Sequence, residues 1–242
     1  EYDGASFAGW QFQPGQRTVQ GVLADALQLI CRHEIVLRGA GRTDSGVHAW
    51  GQRASFYTDS GLPPQKFIRG VTGIVKRHVA VVAAEERPLD FGACHDARGK
   101  VYAYRLLMRD GRSPLHDGRA WQIRRPLDLS LLAAELATLP ATADWSAYRA
   151  GDCGSPNPTK TLFEASVRRE GPDVISLVFR GSGFLKQMVR ILAGTAVEVA
   201  TGRMPPGSMV RIRDTRDRIQ AGPTAPPEGL YLEEVLYDPT PG

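Results

Sequence analysis

The 242-residue sequence predicts an α+β fold, with two helix-on-sheet layers side by side. Three observations predict it. Apolar residues recur at helical spacing in several separate segments. Segments of alternating apolar and polar residues lie between them. The two kinds interleave along the whole chain instead of segregating into an all-helix and an all-strand half. No self-similarity between the halves is visible, so the two layers are not read as a sequence repeat.

In chain order, Asp3 to Arg17 reads as a loop rich in Gly, Pro and Gln, with Phe7, Trp10 and Phe12 set among polar residues; Trp10 and Phe12 read as core plugs rather than base-stacking aromatics. Thr18 is an N-cap, and Val19, Val22, Leu23, Ala26, Leu27 and Ile30 mark an amphipathic helix over 19–32. Ile35 to Leu37 reads as a short strand, and Trp50 to Tyr57 as another. Pro63 and Pro64 open a helix through Phe67, Ile68, Val71, Ile74 and Val75, followed by a strand over Val79 to Ala83. Val101 to Met108 alternates, placing Tyr102, Tyr104, Leu106 and Met108 on one face. A basic, Gly-rich linker leads to a short strand at Ala120 to Ile123. Leu129, Leu132, Leu136 and Leu139 mark a helix, and Gly151 to Lys160 reads as a polar loop. Thr161 to Arg169 and Val174 to Phe179 form a hairpin. Phe184 to Thr201 is a long helix whose buried stripe leaves Arg190 outside it, Arg211 to Arg218 a solvated helix, and Tyr231 to Tyr237 the last strand. The boundary between the halves falls near Arg98, giving domains 1–97 and 98–242.

Composition narrows the class. No run of apolar residues is long enough to span a bilayer, and the first residues lack a secretory pattern. Cys31, Cys94 and Cys153 lie far apart, an odd number without metal-like spacing, which points to a reducing compartment such as the cytoplasm. A net charge of +4 with pI about 9.1 favours a polyanionic partner. Only five of the thirty cations are Lys, and the planar arginine fork suits phosphate and stacks on bases; a G+C-rich genome would give the same bias.

The stretch with chemistry in it is Gly41 to Ala49, GRTDSGVHA. Two glycines bracket Arg42, Thr43, Asp44 and Ser45, so the segment reads as a turn between apolar runs that displays Asp44. Spacing alone also allows Asp44 to be a turn or helix cap and Arg42 a solvated cation.

The whole string resembles the catalytic motif of the TruA family of tRNA pseudouridine synthases, which carries the essential Asp. The resemblance continues at Tyr2 to Gln11 (YDGASFAGWQ), Thr18 to Gly21 (TVQG), Lys100 to Tyr104 (KVYAY), Gly183 to Gly194 (GFLKQMVRILAG) and Glu228 to Leu232 (EGLYL). It implies the pseudouridine synthase fold: two ferredoxin-like subdomains sharing a central, largely antiparallel sheet, with helices packed on it and a basic active-site cleft. Members carry a strand before the Tyr-Asp-Gly motif, so one strand of the first sheet is expected to be missing. The implied reaction is isomerisation of uridine at positions 38, 39 and 40 of the tRNA anticodon stem-loop, by a homodimer sharing one tRNA, with no cofactor and no metal.

By the same resemblance Asp44 is the catalytic carboxylate, acting as nucleophile at C1′ or C6 or as base at C2′; the family is held to favour the last route, through a glycal. Tyr102 corresponds to the active-site tyrosine that stacks on uracil, Arg190 to the cation paired with the Asp, and Arg42 to the arginine that helps extrude the target base. His48 reads as structural rather than catalytic. Two departures from the family pattern stand out. Cys94 occupies a position where an RNA-facing Arg is usual, and 70–77 lacks the Asn-Ala-x-Leu-Pro string. The competing readings are an RNA-binding protein of ferredoxin-like fold without turnover, and a glycosidase or nucleosidase. The last needs two acids across the bond, and Asp44 has no evident acidic partner in sequence.

Overall fold

The structure, a computed structural model, describes residues 1–237. The described residues form two compact units, Glu1–Arg98 with 232–237, and Gly99–Tyr231. Both mix helices with mostly antiparallel strands, so the α+β class holds.

In the first unit, α1 (Val19–Cys31) starts where Thr18 accepts the Gly21 N–H at 3.2 Å, and ends at Arg32 in the left-handed region. α2 (Pro64–Val75) has proline in its first turn, where a missing N–H costs nothing. The two helices pack through Ala26, Leu27, Phe67 and Val71 over Ile35 and Leu37. The strands here are shorter than the sequence predicts. β1 (Arg38–Gly39) pairs with β3 (Ala54–Ser55), and β2 is only His48–Ala49. The strand expected at Ile35 to Leu37 is instead an unpaired segment leading into β1, with Ile35 and Leu37 buried and Val36 exposed, and 79–83 keeps a single bridge, Val79 to Tyr2. Tyr2 also bridges Ala49, so Glu1 and Tyr2 lie as an extended piece between two segments, with Glu1 exchanging hydrogen bonds with Ala80. Trp10 is a core residue at 2 % exposure, but Phe12 is not: it is 58 % exposed.

In the second unit, β4 (Gly99–Met108) lies antiparallel to β8 (Val174–Gly181), β8 to β7 (Thr159–Arg169), and β7 to β6 (Ala141–Asp144); β5 (Trp121–Ile123) runs parallel to β4. Alternation puts Tyr102, Tyr104 and Leu106 on the buried face with Phe179, Leu177 and Ile175 opposite. α3 (Leu129–Ala137) and α4 (Met188–Ala200) pack with each other and on this sheet, α3 against β7 and α4 against β4. β6 is a strand the sequence did not announce. α4 starts four residues later than its apolar spacing predicts, since Gln187 takes φ 60°, which a right-handed helix cannot include. Nearly every residue of α4 is buried, so the expected single stripe is a whole surface. α5 spans Ser208–Thr215, earlier than expected, with Met209 and Ile212 inward. β9 (Leu230–Leu236) is the last strand of the described residues.

Candidate active site

Asp44 sits at the first position of a turn, its carbonyl accepting the Val47 N–H at 3.2 Å and Gly46 taking φ 79°. The side chain is half-buried, neither sunk in the core nor fully in solvent. What holds this turn is the 2–11 segment. Trp10 N–H donates to Thr43 O at 3.0 Å, and Gly46 N–H and the Ser45 hydroxyl both donate to Phe7 O. Gly4 and Gly9 lie directly against the turn's backbone. A Cβ on Gly4 would stand 2.0 Å from Val47 O, and one on Gly9 2.7 Å from Thr43 O, with Gly9 also at φ +108°. The main chain on both sides of Asp44 is therefore clamped by two positions that only glycine can fill.

A buried polar layer lies beneath. The Tyr2 hydroxyl and Thr43 Oγ1 are 2.8 Å apart, and Gln52 donates to Gly41 O at 2.9 Å. His48 is buried, and its Nδ1 accepts the Gly4 N–H at 3.1 Å. The same Nδ1 lies 3.2 Å from Asp3 Oδ1, which also accepts the Ala5 N–H. The imidazole thus serves the loop's architecture. Gln20, from the TVQG string, accepts from Gln11 and from Phe12 N–H and donates to Leu37 O, tying the 11–12 segment to the approach to β1.

Burial pushes the Tyr2 phenol up to about 12, with its hydrogen bonds to Thr43 and Gln52 opposing the rise. The folded chain then holds a proton that the unfolded chain has lost above pH of about 10. This contribution to stability is complete at neutral pH and disappears as pH rises from about 10 to about 12. Alkaline titration followed by phenolate absorbance should show a late phase to which Tyr104, Tyr148 and Tyr237 also contribute, and Tyr2→Phe should reduce its amplitude by one tyrosine. A late phase undiminished in Tyr2→Phe would contradict this assignment.

Of the residues singled out in the sequence, Asp44 and Arg42 belong to the first unit, and Tyr102 and Arg190 to the second. Arg42 is exposed. Tyr102 is 7 % exposed, its ring edge-on to Phe184 with centroids 5.1 Å apart. Arg190, in the first turn of α4, is half-buried and donates its Nε to Ala225 O at 2.8 Å, while the Ala225 N–H returns to Arg190 O. The neighbouring Tyr104 is fully buried and its hydroxyl donates to Pro226 O at 2.7 Å, a packing role; burial raises its pKa well above the usual phenol value. Cys94 is exposed, with its neighbour Ala93 accepting the Tyr237 hydroxyl. A cavity of about 720 Å³ in the first unit is walled by Leu23, Leu27, Phe56 and Phe67 among others and not by Asp44.

Sequence reasoning missed the clamp. The YDGASFAGWQ string was visible, but that its two glycines touch the Asp44 turn is a long-range fact that no local pattern encodes. Fold and loop together define an α+β protein that presents one carboxylate on an immobilised turn. A family model described as tRNA pseudouridine synthase matches residues 1–96 and 140–238. Proteins called tRNA pseudouridine synthase A are similar along almost the whole chain: that of Myxococcus xanthus is 41% identical over 98% of this chain and 89% of its own length. That of Geobacter sp. strain M21 is 40% identical over 98% and 96%, and that of Caldicellulosiruptor saccharolyticus 35% over 98% and 97%. The chain belongs to the tRNA pseudouridine synthase family, a family of isomerases.

Proposed function

We propose that the chain isomerises uridine to pseudouridine at positions 38, 39 and 40 of the tRNA anticodon stem-loop, with Asp44 as the catalytic residue. The observation that carries this reading is the clamped turn, which holds one half-buried carboxylate in a fixed place. Family membership supplies the substrate class. In the reaction the C1′–N1 bond breaks, the uracil turns, and a C1′–C5 bond forms; C5 gives up its proton and N1 gains one. Redox state is unchanged and no water is consumed. The carboxylate acts at C1′ or C6 as a nucleophile, or at the C2′ proton as a base. Every route needs the nucleotide out of its stack, an extrusion that costs a few kcal/mol and is offset by contacts to the RNA backbone.

In this reading Tyr102 meets the uracil face, Arg190 supplies the cation for the carboxylate, and Arg42 assists extrusion. Each unit is taken as one ferredoxin-like subdomain, and the enzyme works in the cytoplasm as a homodimer on one tRNA. No helix of the described residues is long and apolar enough to cross a membrane. Tritium release from tRNA labelled at uridine C5, combined with mapping of pseudouridine in transcripts bearing a single uridine at 38, 39 or 40, tests the assignment. Release from these positions is the expected result. Release from none of them, or only from uridines elsewhere, would remove the site assignment.

A further inference from the structure

A recess of about 310 Å³ in the second unit lies outside everything assigned above. Its wall is made by Trp121, Arg124 and Arg125 at the end of β5 and by Thr201 and Arg203 just past α4. Three arginines thus line one concavity, and no carboxylate belongs to the wall. Glu198 pairs with Arg203. Asp128, the other acid near this end of α4, accepts the Leu131 N–H as the N-cap of α3. Among the described residues neither Arg124 nor Arg125 stands in an ion pair, and both are exposed. The Gln122 amide is spent on the carbonyls of Arg109, Asp110 and Gly111, so the recess offers an incoming ligand guanidinium donors above all.

One of these cations has an internal explanation. The C-terminal end of α4 carries partial negative charge, which favours Arg203 there. That does not account for two further arginines on the same rim, where like charges repel one another and a concave wall concentrates the field. The arrangement suits a phosphodiester, whose two non-bridging oxygens a guanidinium fork holds with two parallel hydrogen bonds. Arg124 and Arg125 also lie between the two stretches that the family model matches, so that likeness does not account for them. We propose that this recess is a phosphate-binding contact for the tRNA backbone, additional to the site at Asp44. The proposal rests on the tRNA reading above for its ligand and adds where a part of that ligand is gripped. It reads no base, so its contribution is the same for all tRNAs.

The test is equilibrium binding of a tRNA transcript to Asp44→Asn protein over a series of salt concentrations, with and without Arg124→Glu and Arg125→Glu. The expected result is a loss of affinity of about tenfold or more at 0.1 M salt, with the slope of log K against log salt shallower by about 1 to 2, as for lost phosphate contacts. Arg69→Glu on α2, an exposed arginine in the first unit, controls for net charge and should stay within about threefold. Arg124→Gln with Arg125→Gln gives a milder pair, and unchanged thermal midpoints verify folding. An unchanged affinity and slope, or an equal loss in Arg69→Glu, overturns the proposal. Wild-type protein that binds tRNA with this arginine dependence yet releases no tritium would instead overturn the isomerase reading and leave the recess standing.

Discussion

Asp44→Asn will lower turnover on tRNA by at least about 10³-fold while leaving tRNA affinity within about threefold, because the substitution keeps shape and removes only the group that reacts. The hydrogen bonds made by the main chain of Thr43, Asp44 and Gly46 and by the Ser45 hydroxyl do not use the carboxylate. The amide keeps them, and the thermal midpoint should move by no more than a few degrees. Asp44→Glu is the sharper companion. It retains the charge but displaces it by one methylene, and since misplacement of a reacting group by about 1 Å can cost 10²-fold, it should also be severely impaired. Tight binding without turnover in both variants separates an enzyme from an RNA-binding protein of the same fold, which has no turnover to lose. Activity within tenfold of wild type in Asp44→Asn would show that the carboxylate is a turn residue and nothing more.

The second large effect is expected at a residue with no functional group. Gly9→Ala places a methyl 2.7 Å from Thr43 O in a backbone at φ +108°, so relief requires the 7–10 segment or the Asp44 turn to move. Strain of this kind combined with overpacking should cost about 3 kcal/mol or more, an apparent drop in midpoint of roughly 6–12 °C for a chain of this size. Turnover should fall by about 10²-fold as the carboxylate shifts. Gly15→Ala provides the comparison, since Gly15 also has positive φ (+72°) but nothing within 4 Å of its Cβ position. It should lose only about 1–2 kcal/mol from the left-handed backbone and keep its activity. Equal behaviour of the two variants, measured by calorimetry and initial rates, would mean that the turn is not clamped by the 2–11 segment.

These two predictions mark where sequence reading succeeded and where it stopped. α1 and α2 were legible because a side-chain cap at Thr18, prolines at 63 and 64 and a 3.6-residue apolar rhythm are local signals. The β7–β8 hairpin and β4 were legible from alternation. β6 was not, because Ala-Thr-Ala-Asp has little intrinsic strand preference and is a strand only through its pairing with 159–162. In the first unit segments such as 50–57 and 79–83 read as strands, but pairing is confined to a few positions, and composition cannot say how far a ladder extends. The start of α4 was misplaced because 184–187 is as apolar as a helix turn, while its conformation is set at Gln187. Asp44 was legible as a displayed acid from its bracketing glycines. Its anchoring by Gly4, Gly9, Trp10 and Phe7 was not, since those contacts cross more than thirty residues of chain.

The central claim is that the Asp44 carboxylate carries the rearrangement. Its most direct test is single-turnover release of tritium from tRNA labelled at uridine C5, with wild-type and Asp44→Asn protein each in excess so that all the tRNA is bound. The account predicts full release by wild type and none above background by the variant on the same timescale, at equal occupancy. Release by the bound variant at a rate near that of wild type would contradict it.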